Sequence, residues 1–322
     1  METYKLSTWF REYGWRHLVG LTFVVFSMYP ILYVITNSFA DFPNLENSKL
    51  IPDNFTFKHY RSLYGEPLVP YFKWLFNTYK IASIAGLFNV LLGTFAGYAF
   101  ARLKFRGRRV GLISLVLIQM FPAFLAFVAI YLLFFQISDI APFMGLGTHF
   151  GLICVYLGGS IGFNSWLIKG FMDTIPESLD EAAKVDGATD SQIFLRIVAP
   201  LARPIIVVLF VLTFIGIYSD YILAAVFLKD TNLYTVALGI NVVFMDDFSN
   251  EWGSIAAASV IAATPIAVLF IFFQIQIIIN MFKRVRKFLI SYVRWLYLFI
   301  ILDFISKKLY TKRIFMSKRI HI

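Results

Sequence analysis

Charge is what this 322-residue sequence has least of: 15% of its residues are Asp, Glu, Lys or Arg, where a soluble domain carries about a quarter. Cysteine is nearly absent as well. Cys154 is the single thiol, so no disulfide can form within the chain, and with no ligand-type neighbours it reads as a packing residue. No Gly-Lys dipeptide occurs, which excludes the phosphate-cradling loop G-x-x-x-x-G-K-[ST]. There is no H-E-x-x-H and no cysteine cluster, so neither a metal site nor a catalytic residue is predicted. The four histidines, His17, His59, His149 and His321, are scattered through flanks and loops.

What is abundant is apolar surface, at 59% of residues and a mean hydropathy of +0.73. A helix needs about 20 apolar residues to cross roughly 30 Å of hydrocarbon. Six stretches reach that length: His17–Asn37, Thr78–Phe100, Leu112–Gln136, Gly151–Lys169, Pro204–Phe227 and Ser254–Ile279. The first is too long for a cleavable leader and has no small-residue cleavage site behind it. The expected organisation is a segment at 1–16, a six-span domain at 17–279 and a basic tail at 280–322.

The net charge of +10 suggests nucleic acid until it is located. Residues 281–322 hold eleven Lys/Arg and one Asp, so the tail accounts for all of it. Basic segments beside membrane spans meet anionic lipid headgroups, and no nucleic-acid partner is expected. The loop after the second run, Ala101–Val110, holds Arg102, Lys104, Arg106, Arg108 and Arg109 with no acid, and positive-inside counting makes it cytoplasmic. Parity then puts the N-terminus and the loop Gly170–Arg203 on the same side.

Gly170–Arg203 is hydrophilic yet patterned. Ser178 with Glu181 three residues on has the form of a capping box, so a helix is expected to begin there. Gly187 interrupts it. Asp190 or Ser191 can cap a second short helix, Gln192–Val198, with Pro200 and Pro204 ending it and opening the next span. Two short amphipathic helices joined at a glycine need a cover for their apolar sides. Either a groove on a cytosolic partner or the bilayer interface supplies one.

Glu181-Ala182-Ala183, then Gly187, then Ile197 and Ala199-Pro200 resembles the EAA loop of bacterial binding-protein-dependent ABC importers. Leu is usual in that family where Ala199 stands. Gln119-Met120-Phe121-Pro122, Ile130-Tyr131, Tyr156-Leu157-Gly158-Gly159, Lys169-Gly170, Tyr234 to Gly239 and Trp252-Gly253 are similar to the smaller six-span membrane subunit of maltose/maltodextrin importers, over about 26–274. The resemblance implies an all-α transmembrane fold, a six-span type I ABC importer permease bundle whose first span wraps a core of five, in a bacterial inner membrane with its N-terminus in the cytoplasm. It implies a non-enzymatic permease subunit forming half of a sugar path beside a second, homologous membrane subunit. ATP and Mg would be bound by two cytoplasmic ATPase subunits, with no cofactor on this chain. An extracytoplasmic sugar-binding protein, periplasmic or lipid-anchored, would deliver substrate. In the implied assembly Ser178, Glu181, Ala182, Ala183, Asp186, Gly187, Ile197 and Pro200 belong to the ATPase-coupling loop. Tyr234, Thr235, Gly239 and Trp252 are candidates for contact with the binding protein.

Asp220 is the one carboxylate well inside a run, and Gln119 is a polar residue in the third run beside Pro122, an expected kink. Buried in lipid such groups are costly. Both are candidates for the translocation path, the alternative being hydrogen bonds that only hold helices together. Gly158-Gly159-Ser160-Ile161-Gly162 fits a hydrolase elbow in letters but sits inside a span, and like Gly93 with Gly97 it is expected to serve close packing. Residues 275–322 contain no Ala, Gly, Pro or Glu and depart from the family pattern after Gln274. A seventh span at Phe288–Ile305 would bury Arg294 or Asp303, so an interfacial helix is the better expectation, a reading-frame change being the other. The rival class is an ion-coupled secondary transporter, which usually shows more spans, internal repeats and several intramembrane charges.

Overall fold

The computed structural model describes residues 13–41, 49–65, 69–245 and 252–275. The basic tail, the expected helix at 288–305 and residues 1–12 lie outside the described residues. Among the described residues the chain is helical, with no strand and one isolated antiparallel bridge between Ala40 and Phe55. The helices are α1 (Trp15–Asn37), α2 (Lys58–Gly65), α3 (Tyr71–Arg102), α4 (Arg108–Gln119), α5 (Phe127–Ile140), α6 (His149–Met172), α7 (Ser178–Val185), α8 (Asp190–Ser219), α9 (Ile222–Phe227), α10 (Val236–Gly239) and α11 (Trp252–Ile275).

Four of the six expected spans are continuous helices: α1, α3, α8 and α11. The other two are bent. The third run is divided into α4 and α5, inclined at 86°, at the kink expected beside Pro122. Pro122 has no N–H to donate and restricts Phe121, and it stands in extended conformation between the two helices. Twelve and fourteen residues are each too short to cross alone, so the pair counts as one broken span. The fourth run, α6, bends by 47° between Gly159 and Gly162.

The fifth run departs from expectation in the opposite sense. No break separates the second short helix of the 170–203 loop from the span, because α8 runs unbroken from Asp190 to Ser219. A widened turn at Phe194–Val198 makes this possible: the Ala199 N–H donates to the Phe194 carbonyl, five residues back. That shift relieves the clash a Pro200 ring would make with the carbonyl four residues before it.

α3 organises the bundle. Its buried residues, from Tyr71 and Trp74 through Ile81, Ala85 and Asn89 to Tyr98 and Ala101, recur at spacings of three and four and so form one stripe. Glycines let α6 pack flush against that stripe. A Cβ on Gly93 would lie 2.8 Å from Asn164 Cβ, and one on Gly97 2.8 Å from Ile168 Cγ2. With lipid as the solvent, such close approach supplies the dispersion contacts that hold helices together. Tyrosine hydroxyls add polar ties, Tyr71 donating to the Ala258 carbonyl at 2.6 Å and Tyr218 to that of Ala262 at 3.0 Å. These bonds fasten α3 and α8 to the first half of α11. From Val268 onward α11 exposes Val268, Phe270, Ile271, Phe272 and Ile275.

α1 does not wrap the five-helix core as expected. Trp15 to Thr36 are exposed or half-exposed throughout, and burial begins only at Asn37 and Ser38. A helix apolar on all sides has no face that selects this chain's own core over surrounding lipid or another subunit.

Candidate functional site

The Arg102 end of α3 carries the 170–203 loop. After α6 the chain turns at Asp173–Ile175, and the next turn closes one residue before Ser178: Leu179 and Asp180 donate to the Pro176 and Glu177 carbonyls. Ser178 is thus already inside α7 and makes no cap bond with its side chain, contrary to the expected Ser178–Glu181 box. A complete capping box occurs eleven residues later instead. Thr189 Oγ1 accepts from the Gln192 N–H, and Gln192 Oε1 accepts from the Thr189 N–H, so Thr189 rather than Asp190 or Ser191 starts α8.

Between them Gly187 adopts a left-handed conformation, φ +82°. The Gly187 N–H bonds the Lys184 carbonyl at 3.0 Å and the Ala188 N–H bonds that of Ala183 at 2.9 Å. This double closure is the Schellman motif, which needs a residue at ease with positive φ. The interruption expected at Gly187 is therefore a tight, fully bonded helix end.

α7 is turned inside out for a helix in contact with its own protein. Leu179, Ala182 and Val185, three residues apart, share an exposed side, with Val185 88% exposed. Glu181, Asp186 and Gly187 are exposed with them, while Ala183, Ile197 and Pro200 are half-buried. The carboxylate of Asp180 points inward instead, to Arg102. Arg102 Nε donates to Asp180 Oδ2 at 2.6 Å and Nη2 to the Ile175 carbonyl at 2.7 Å, with the two side chains 7% and 12% exposed. Breaking one partner of so buried a pair costs about 3–5 kcal/mol. In the sequence alone Arg102 is only one charge of a basic loop. The available signal was an acid on the side of α7 opposite its apolar residues.

Gln119 and Asp220, 101 positions apart in the sequence, line one cleft of about 440 Å³ between α4, α6, α8 and α9. Tyr156, Phe163, Asn164 and Thr213 line it with them. Gln119 Nε2 donates to the Gly159 carbonyl at 3.1 Å, where α6 bends. Asp220 Oδ1 accepts the Leu223 N–H at 2.9 Å and so closes the first turn of α9. The Tyr156 hydroxyl lies beside Asp220 without closing a hydrogen bond. Gly158 and Gly159 have no neighbour that a Cβ would meet within 4 Å, so close packing, expected of the whole glycine cluster, is found only at Gly162 against Gln119. The cleft is apolar with a few convergent polar groups, the composition of a small-ligand site.

At the Tyr71 end, two of the four residues expected to face a binding protein are turned inward. Thr235 is buried and caps α10 through the Leu238 N–H. Gly239 is pressed against the Trp74 indole. Tyr234 and Trp252 are half-buried, the Tyr234 carbonyl accepting from Asn77 Nδ2 at 3.1 Å. The segment is held by α3, which explains its inward residues. Among the described residues no group of three His, Cys, Asp or Glu is placed to hold a metal ion.

Comparison with known proteins bears on this arrangement. A family model described as the binding-protein-dependent transport system inner membrane component matches residues 89–302, running past Gln274. The maltose/maltodextrin transport system permease protein MalG of Photorhabdus laumondii is 40% identical over 275 residues, covering 81% of this chain and 92% of that one. MalG of Escherichia coli K12 is 38% identical over 269 residues, covering 80% and 90%. Among solved structures, a bacterial ABC transporter involved in import of the acidic polysaccharide alginate aligns with a TM-score of 0.66 at 22% identity, over 85% of this chain and 99% of that one. The same kind of transporter, in complex with an alginate pentasaccharide-bound periplasmic protein, aligns at 0.63 and 17% identity, over 84% and 96%. The six-span all-α bundle with its two bent spans is thus the fold of an ABC importer permease, and the chain belongs to the family of binding-protein-dependent transport system inner membrane components.

Proposed function

We propose that this chain is one of two membrane subunits of a maltose/maltodextrin importer and that it couples its half of the path to ATPase subunits on separate chains. The observation that carries the proposal is α7: an exposed apolar stripe of Leu179, Ala182 and Val185 beside Glu181, ending in a doubly hydrogen-bonded, exposed glycine turn. An apolar helix face outside the bundle stays exposed at a cost unless a groove receives it. The relatives' substrate supports maltose or maltodextrin as the cargo. A second membrane subunit, ATPases binding ATP and Mg, and an extracytoplasmic sugar-binding protein complete the assembly. The N-terminus lies in the cytoplasm in this reading.

Glu181→Lys tests the docking. The ATPase should co-purify with the wild-type chain and be retained about tenfold less by the variant, as for loss of a central interface contact. Equal retention would remove the proposal's basis.

The cleft lined by Gln119 and Asp220 is the candidate path. Asp220→Asn keeps an acceptor for the Leu223 N–H but removes the charge, whereas Asp220→Ala removes both. Uptake of labelled maltose should fall about five- to tenfold in the Asn variant, roughly the difference between a charged and a neutral hydrogen bond, with assembly preserved. Wild-type uptake, ATPase coupling and assembly in that variant would assign Asp220 to capping α9 alone.

A further inference from the structure

The loop that carries α7 is joined by sequence to α6 and α8, yet its strongest polar attachment is to α3, 78 residues away. On the reading of α7 as the docking helix, we infer that Arg102 is the positioning residue through which movement of α7 enters the bundle, by way of α3.

Three sets of contacts carry this. The Arg102 guanidinium holds α7 at two points, the Asp180 carboxylate and the Ile175 carbonyl just before the helix, with Glu177 4.0 Å from Nη1. One turn earlier on α3, the Tyr98 hydroxyl donates to the Asp190 carbonyl at 3.2 Å and its ring lies 4.7 Å from that of Phe194. The last turn of α3 therefore grips both α7 and the start of α8. Further along, α3 is in close contact with α6: Gly97 against Ile168, Gly93 against Asn164, and Asn89 Nδ2 donating to the Tyr156 carbonyl at 3.0 Å. Asn164 and Tyr156 line the cleft. A continuous chain of close contacts thus runs from the docking helix to the candidate path. Such a chain has functional meaning only if it changes coupling, so the test must read coupling rather than stability.

The complete transporter, with its membrane partner, ATPase and binding protein, is reconstituted in vesicles, and labelled maltose uptake and ATP hydrolysis are measured together. Asp180→Asn keeps size and loses charge. Arg102→Lys keeps charge and loses the two-pronged grip. Each should leave hydrolysis within about twofold of wild type and lower uptake per ATP about tenfold, within the usual range of coupling effects. In a Cys154→Ala background, Arg102→Cys with Asp180→Cys should show the same uncoupling, reversed by a bifunctional methanethiosulfonate bridge and restored by reductant. Should Asp180→Asn fail to assemble, Arg102→Lys and the bridged pair decide. Uptake and hydrolysis falling in proportion, an unchanged ratio, or a bridge that does not move the ratio would overturn the inference. Glu181→Lys serves as control. Retention of the ATPase there defeats the docking reading itself, whereas its loss there with normal coupling in Arg102→Lys defeats only the role of Arg102.

Discussion

Gly239→Val should leave little folded protein in the membrane. A Cβ at Gly239 would stand 2.2 to 2.6 Å from three atoms of the Trp74 ring, distances no real Cβ tolerates. Trp74 cannot easily give way. It is fully buried, its Nε1 donates to the Thr231 carbonyl at 2.7 Å, and it packs between Tyr71 and Tyr234. Overpacking costs about 1–3 kcal/mol, and turning the indole away forfeits about 1 kcal/mol more with its hydrogen bond. Against a total stability of about 5–15 kcal/mol, that loss should lower the yield of monodisperse protein in detergent extracts about tenfold. Gly239→Val combined with Trp74→Leu, which opens space at the ring, should recover part of it. A contact role for Gly239 alone predicts otherwise: normal yield, with transport failing only when the binding protein delivers the sugar.

That contrast marks where sequence reading reached and where it stopped. The apolar runs were legible because length and composition alone decide whether a helix can cross lipid, and the four unbroken spans follow them. Gln119 and Asp220 were legible as polar residues that an apolar run does not hold without a reason, and the fold brings both to one cleft. Local geometry was harder. Ser178–Glu181 and Thr189–Gln192 both have capping-box spacing. What decides between them is the turn closed by Pro176 and Glu177, which draws Ser178 into the helix. Pro122 announces a break but not its 86°, which depends on what α4 and α5 pack against. Pro200 argues for a helix end until a widened turn accommodates it. Arg102 and Asp180, and Gly239 and Trp74, are pairs distant in the chain, and a single sequence carries no record of such meetings.

A graded series at Gly187 should separate backbone conformation from docking. A Cβ there meets nothing within 4 Å, so the only demand the chain itself makes is φ +82°. Asn visits that region readily, and Gly187→Asn should support near-wild-type maltose uptake. Gly187→Ala strains the turn by about 1–2 kcal/mol, and β-branched Val by more. At 1.4 kcal/mol per tenfold, uptake and ATPase retention should fall about tenfold for Ala and further for Val. Gly187→Pro should be the most severe, since its φ is fixed near −65° and it loses the N–H that bonds the Lys184 carbonyl. The order Asn, Ala, Val, Pro is that of a turn whose shape sets the direction of α8 relative to α7. If Asn failed as badly as Val while the purified chain kept its thermal stability, the glycine would be required for something pressed against it from outside. The partner's surface would then reach the turn itself as well as the stripe of Leu179, Ala182 and Val185.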